Sequence, residues 1–271
     1  MKLLRSTLLL LAVAIAFAAC KKSTDKSSET TQGEMISQEE IEKGFEEVIF
    51  PLPEPMSVYQ MLENIGASYA KEALNPVASA EKYFTSNIKS VNVGVYGADL
   101  SYTLVYNKKD DIDLYSKTLK KLVDDLDIKV NYRSLVSEES KEMAMSNDSL
   151  IKLSSEIFFD IYEFLYKESD PAMAVLMANG FYVEGLYIAT HISEETFNNI
   201  EMVKIIYGQS KPLEEIIKLN EKFGDNEYIS AIQGSLIKLK ELYDSTDGSL
   251  TEEQLKQITT IIESIRESMV S

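Results

Sequence analysis

The sequence predicts an all-α fold of about ten helices, arranged as a single multi-helix bundle or a helical superhelix. Apolar residues recur at helical spacing in almost every segment after residue 36, and no segment shows the sustained alternation of a strand. Hydrophobic residues make up 45% of the chain and charged residues 26%, which is the composition of a folded globular protein. We therefore expect one helical domain over residues 36–271.

Capping residues mark where individual helices are expected to begin. Ser37 with Glu40 three residues later forms a capping-box pattern ahead of the first amphipathic segment. The proline-rich stretch 50–55 predicts an extended connector, and a helix over 57–69 follows it. Further helix starts are predicted at Asn75-Pro76, at Asp170-Pro171, at Asp225 after Gly224, and at a second capping box formed by Thr251 and Gln254.

Two segments are apolar on every side. Residues 91–106 carry one charge, Asp99, and residues 172–191 carry one acid, Glu184, with His191 at the end. A helix without a polar face must be surrounded by other helices or by lipid. The second segment is long enough to span a membrane, but Glu184 and neighbouring glycines interrupt it, and an acid inside a bilayer is costly. We interpret both as central helices of a bundle.

These two segments resemble each other. A shift of 86 residues aligns Gly94 and Tyr96 with Gly180 and Tyr182, and each segment is followed by a more polar amphipathic helix. Two hypotheses stay open at this point. The chain contains an internal duplication with one central helix per half, or residues that are common in helices recur by chance.

The N-terminal residues follow the plan of a secretory signal. Two basic residues lie near the start, an uncharged apolar run covers residues 8–17, and two alanines precede Cys20, the single cysteine of the chain. The stretch Phe17-Ala18-Ala19-Cys20 resembles the bacterial lipoprotein box, in which the cysteine is lipidated and becomes the mature N-terminus. Phe17 stands where that box usually has an aliphatic residue. Ordinary secretion, with a spare thiol at Cys20, is the alternative.

The predicted organisation is a signal peptide over 1–19, a lipidated Cys20 with a flexible polar tether over 20–35, and the helical domain over 36–271. Removing residues 1–19 takes away two basic residues and no acid, which leaves a net charge of −19. Such a charge repels nucleic acid and anionic headgroups, so we expect no nucleic-acid partner and attachment to the outer membrane through the lipid alone. Lys21 and Lys22 favour the periplasmic side over the cell surface.

A family resemblance supports this location. The stretch Gly94–Tyr102, GVYGADLSY, together with Glu184–Thr190, EGLYIAT, resembles the signature of uncharacterised all-helical lipoproteins of Bacteroidota-type bacteria. The likeness covers the chain from about Pro51 to the C-terminus. It implies a helical fold and a cell-envelope location, and it carries no activity.

The residues that most enzymes use are scarce in this chain. It has one histidine, one cysteine and none of the motifs of zinc proteases, dithiol enzymes, α/β-hydrolases or phosphate loops. The acidic cluster around Gly248 does not fit an EF-hand, because Tyr243 and Gln254 would stand at its first and last ligand positions. We interpret His191 as a helix C-terminal residue near unpaired carbonyls. We therefore expect no cofactor, no metal site and no catalysis.

Asp99 and Glu184 are the candidate site residues. An acid on a buried helix must be paired, hydrogen-bonded or neutralised, since a lone buried carboxylate is very costly. Tyrosines on the same two helices could donate to these acids, either in a structural network that fixes helix packing or in a polar pocket for a small ligand. The tyrosines concerned are Tyr96, Tyr102, Tyr182 and Tyr187.

These patterns predict a lipid-anchored helical scaffold or protein-interaction module of the bacterial cell envelope, whose partner is an unknown envelope protein. The alternative is a lipoprotein that binds a small ligand between the two central helices. A large pocket at Asp99 or Glu184 would favour the alternative, and an exposed apolar groove would favour the scaffold.

Overall fold

The computed structural model describes residues 57–130, 147–192 and 198–271. The predictions for Cys20, for the capping box at Ser37 and for the connector 50–55 lie outside these ranges. Within them the chain forms nine α-helices, two short 3₁₀ helices and no strand, which confirms the all-α fold. The helices are α1 (Ser57–Asn64), α2 (Ser86–Val105), α3 (Lys109–Asp125), α4 (Asn147–Glu168), α5 (Pro171–His191), α6 (Ile200–Tyr207), α7 (Ser210–Glu221), α8 (Glu227–Asp244) and α9 (Glu252–Val270).

Two of the predicted helix starts are confirmed with their capping contacts. The Asp170 side chain accepts from the Ala172 backbone N–H at 2.9 Å, and Pro171 occupies the first helical position of α5. Thr251 and Gln254 form a reciprocal capping box at the start of α9. Local residues decide these two starts because each cap needs only atoms within three positions of itself.

Two predicted boundaries move because another local residue provides the signal. The helix predicted over 57–69 ends at Asn64, where Gly66 adopts a left-handed φ of 81° and terminates it. The first central helix begins at Ser86 rather than at 91, since the Thr85 hydroxyl accepts from the Ile88 N–H at 3.3 Å. Likewise Asp225 is not a cap, and the neighbouring Asn226 caps α8 instead.

The helix start predicted at Asn75-Pro76 is present only as a short 3₁₀ helix, and the predicted capping role of Asn75 is wrong. A 3₁₀ helix, Val77–Lys82, follows Pro76, and Asn75 caps nothing. The buried Asn75 side chain donates to the Tyr83 hydroxyl at 3.1 Å, and its carbonyl accepts from the Tyr115 hydroxyl at 3.0 Å. Tertiary hydrogen bonds have therefore replaced the local capping role that the sequence pattern favoured.

Helices α2 and α5 form the centre of the fold and share its most extensive contact. The helix α5 also packs against α1, α4, α6, α7, α8 and α9, while α2 is covered by α1, α3, α4 and α9. This arrangement agrees with the prediction that a helix apolar on all sides must be surrounded. Among the described residues, α5 alone has the length and mean hydropathy of a membrane span, and 89% of that span is buried inside the protein.

Two glycines allow the central helices to touch backbone to backbone. A Cβ atom on Gly94 would lie 2.0 Å from the Met177 carbonyl oxygen, and one on Gly180 would lie 1.9 Å from the Val91 carbonyl oxygen. Real Cβ atoms do not approach backbone that closely, so no other residue fits at either position. The pair of glycines therefore sets the separation of α2 and α5.

The crossing of α2 and α5 has local two-fold pseudosymmetry. Each glycine faces the carbonyl of the residue three positions before the other glycine, and the 86-residue shift places α2 on α5 to within one residue at the start. The following elements differ, since one long helix, α3, follows α2, whereas the shorter α6 and α7 follow α5. Duplication therefore stays a prediction, now with an equivalent backbone approach at each of the two aligned glycines.

Candidate functional site

The candidate site lies where three helices meet in the core. It consists of Asp99 on α2, Glu184 on α5 and Arg266 on α9, and both acids are fully buried. The Arg266 side chain is only 12% exposed. Three charged residues at one buried point need mutual compensation, because each loses its hydration on folding.

Arg266 binds Glu184 through two parallel hydrogen bonds. Its Nε donates to one carboxylate oxygen at 2.6 Å and an Nη donates to the other at 2.8 Å. Such a bidentate pair matches the planar guanidinium to the planar carboxylate and is stronger than a single neutral hydrogen bond. The contact joins α9 to α5 across 82 residues of sequence.

Asp99 is the second acid of the site and has less compensation. Its Oδ2 accepts from the Asn75 backbone N–H at 3.3 Å, whereas its Oδ1 is buried with no donor. Asp99 also lies near enough to Glu184 and Arg266 for both of their charges to act on it. The two acids singled out in the sequence are thus buried in the same part of the core.

Burial raises the pKa of Asp99 well above its ordinary value, and the negative charge of Glu184 raises it further, against an opposing contribution from Arg266. Burial also raises the pKa of Glu184, but the hydrogen bonds and the positive charge of Arg266 oppose that effect. The two acids therefore differ in character. Glu184 is the carboxylate of an ion pair, and Asp99 is the group that favours its neutral form.

The four tyrosines of the predicted pocket do not hydrogen-bond to the acids. Tyr96 donates to the Pro76 carbonyl at 2.9 Å, and Tyr182 donates to the Gln209 carbonyl at 3.2 Å. Tyr102 accepts from the Ala70 N–H at 2.9 Å, and burial raises its pKa to about 12. The expectation that these hydroxyls serve Asp99 and Glu184 is wrong for these three residues, because backbone groups of loops and helix ends take them.

Tyr187 contributes to the site through its ring. The Arg266 guanidinium lies 4.0 Å from the Tyr187 ring centroid, and the His191 ring stacks on the same tyrosine at 3.9 Å. The first contact is a cation–π interaction of the same guanidinium that binds Glu184. His191 Nδ1 lies 2.8 Å from the Tyr187 carbonyl, the helix-end position that the sequence predicted, and its Nε2 lies 3.0 Å from Glu263.

Two residues of the site were not predicted from the sequence. Arg266 is one of only three arginines in a chain that is otherwise rich in lysine, and this rarity was a usable signal because arginine is favoured in buried ion pairs. Tyr59 on α1 is 1% exposed, and its hydroxyl has no hydrogen-bond partner. Burial raises the pKa of this hydroxyl, and the negative charges of Asp99 and Glu184 raise it further. No sequence signal distinguishes Tyr59 from the other tyrosines.

Comparison of the chain with family models, with curated proteins and with solved structures finds no match. Among the described residues, no group of three or more histidine, cysteine, aspartate or glutamate side chains could hold a metal ion. The chemistry of the site therefore has to be judged from Asp99, Glu184 and Arg266 themselves.

Proposed function

We propose that the protein is a lipid-anchored helical scaffold or interaction module of the bacterial cell envelope, without catalysis. The observation that carries this proposal is the position of Cys20, the single cysteine of the chain, directly after an apolar run and two alanines. The lipid holds the protein at the outer membrane on the periplasmic side. A body with a net charge of −19 has no electrostatic attraction to anionic lipid, so the acyl chains supply the attachment.

The interior of the helical domain supports a scaffold. The Tyr96 and Tyr182 hydroxyls donate to backbone carbonyls, and Arg266 compensates Glu184, so these polar groups serve the packing of helices. The resemblance of the segment Gly94–Tyr102 to helical envelope lipoproteins points to the same fold and cell-envelope location and stays a prediction.

Replacing Cys20 with serine is expected to move the protein from the membrane fraction to the soluble fraction. A serine cannot accept the thioether-linked lipid, and the tether carries no other apolar group over residues 21–34. The measurement is fractionation of cells fed an alkyne fatty acid, which should label the wild type and leave the Cys20→Ser protein unlabelled.

Ser27→Ala is the matched control, since it changes a hydroxyl in the same tether and leaves the cysteine intact. This variant should keep both the label and the membrane location. A Cys20→Ser protein that stayed in the membrane fraction would contradict the proposal. An unlabelled wild type whose mature N-terminus lies before Cys20 would establish ordinary secretion instead.

A second candidate function, binding of a small polar ligand between the central helices, is favoured by one observation. The Tyr59 hydroxyl is buried near the two acids and has no hydrogen-bond partner in the protein. It is therefore free to hydrogen-bond to a ligand. A ligand that binds only the folded state raises the melting temperature. A metabolite screen should then show shifts in the wild type that Asp99→Asn and Glu184→Gln abolish, and a screen without any shift would reject this candidate.

A further inference from the structure

A buried carboxylate that is ionised needs hydrogen-bond donors for its oxygens, because it can only accept. Asp99 and Glu184 are both fully buried. Glu184 accepts from Arg266 with both of its oxygens, which makes it the ionised acid. Asp99 accepts one bond, from the Asn75 N–H at 3.3 Å, and its buried Oδ1 has no donor. These surroundings therefore favour the neutral form of Asp99.

We propose that Asp99 is protonated at neutral pH, and that this proton is a switch for the docking of the C-terminal helix α9. With the proton in place, the charges of Asp99, Glu184 and Arg266 sum to zero. Without it, two carboxylates share one guanidinium and an uncompensated negative charge remains in the core. Loss of the proton then weakens the contact through which Arg266 holds α9.

The helix α9 is the element that this charge would release. Its separation would admit water to both carboxylates. Its other polar contacts with the rest of the protein include the Asn92 side chain, which donates to the Met269 carbonyl at 2.8 Å, and the Tyr83 hydroxyl, 3.4 Å from the Val270 carbonyl. On its exposed side, His191 Nε2 lies 3.0 Å from Glu263, and the Gln254 side chain donates to the Ser245 hydroxyl at 3.4 Å. Release would expose an apolar stripe that a partner could bind, formed by Leu255, Ile258, Ile262, Ile265 and Met269.

Several other titratable groups face the switch. On the Asp99 side these are tyrosines of α1, α2 and α3, and burial raises the pKa of each, so they stay neutral at ordinary pH. On the Glu184 and Arg266 side stand further tyrosines, one histidine and one glutamate. The residues are Tyr59, Tyr96 and Tyr115 around Asp99, and Tyr83, Tyr187, His191 and Glu263 around Glu184 and Arg266.

The direction of the pH dependence follows from the raised pKa of Asp99 in the folded state. Below the unfolded pKa of about 3.9, both states hold the proton and the contribution is complete. Above that pH the unfolded state ionises while the folded state does not, so stability falls as the pH rises toward the folded pKa. An asparagine at this position is neutral at every pH and has no proton to lose.

The first test is infrared spectroscopy of the whole protein at neutral pH, with aspartate labelled by carbon-13. The wild type should show the band of a protonated, buried aspartic acid, and Asp99→Asn should lack it. This measurement does not depend on the stability of any variant, because the isotope shift assigns the band to aspartate in the wild type. A wild-type spectrum with no such band would overturn the proposal.

The second test compares unfolding and amide exchange of the wild type and Asp99→Asn from pH 4 upward. Relative to the variant, the unfolding constant of the wild type should rise by up to about tenfold per pH unit until the folded pKa is reached. Wild-type amides of α9 should lose protection with rising pH before those of α3, and those of the variant should not.

Asp111→Asn is the matched control, since Asp111 is also buried but is paired with Lys71 and Tyr69. Burial raises the pKa of Asp111, but the hydrogen bonds from these partners outweigh it and leave that pKa lowered. This variant should keep the wild-type loss of α9 protection at rising pH. Equal pH dependence in the wild type and Asp99→Asn would overturn the switch, whatever the outcome for Cys20.

Discussion

Replacing Gly94 or Gly180 with alanine is expected to lower the free energy of unfolding by about 3 kcal/mol. The new Cβ would meet a backbone carbonyl at 2.0 or 1.9 Å, and backbone cannot move aside as the end of a flexible side chain can. The central helices would have to separate, which disturbs the most extensive contact in the fold. Chemical denaturation of the two single variants measures the effect.

Gly234→Ala is the matched control for this prediction. Gly234 also lies inside a helix, α8, but a Cβ there would meet nothing within 4 Å. Alanine is favoured over glycine in a helix interior, so this variant should gain up to about 1 kcal/mol. A Gly94→Ala protein as stable as Gly234→Ala would show that the two central backbones do not touch.

Replacing Arg266 with methionine is expected to cost about 3–5 kcal/mol, because it leaves Glu184 buried and without its positive partner. Methionine keeps most of the packing volume, so the loss reports on charge more than on a cavity. The double variant Glu184→Gln with Arg266→Met should recover part of the loss, since it removes the uncompensated charge. A double-mutant cycle in denaturant measures both effects.

Lys256→Met provides the comparison on the same helix. Lys256 pairs with Glu252, and both side chains are more than half exposed. Exposed ion pairs contribute little, so this change should stay within about 0.5 kcal/mol. The prediction for Arg266 would be contradicted if the two variants lost equal stability.

Features that depend on residues close in the chain were predictable. The box at Thr251 and Gln254 and the Asp170-Pro171 start each involve atoms within one helical turn, and both are present. The central position of α2 and α5 was also predictable, because a helix without a polar face has to be covered on every side.

The composition of the site was only partly predictable. Two lone acids on apolar helices had to find compensation, and Asp99 and Glu184 are both fully buried. The sequence did not identify the partner, since Arg266 lies 82 residues from Glu184 on an otherwise amphipathic helix. The tyrosine partners were wrong for a similar reason, because the donors nearest in sequence were taken by backbone carbonyls elsewhere in the fold.

The sequence by itself determined the helical class, the two buried helices and the need to neutralise their acids. These properties follow from periodicity and from the cost of burying a charge, and neither depends on which helices become neighbours. The tertiary structure alone decided that Gly94 faces the Met177 carbonyl, that Gly180 faces the Val91 carbonyl, and that Arg266 meets Glu184. Such pairings depend on how side chains from distant segments fit together in space. The order of residues along the chain does not record which distant segments become neighbours.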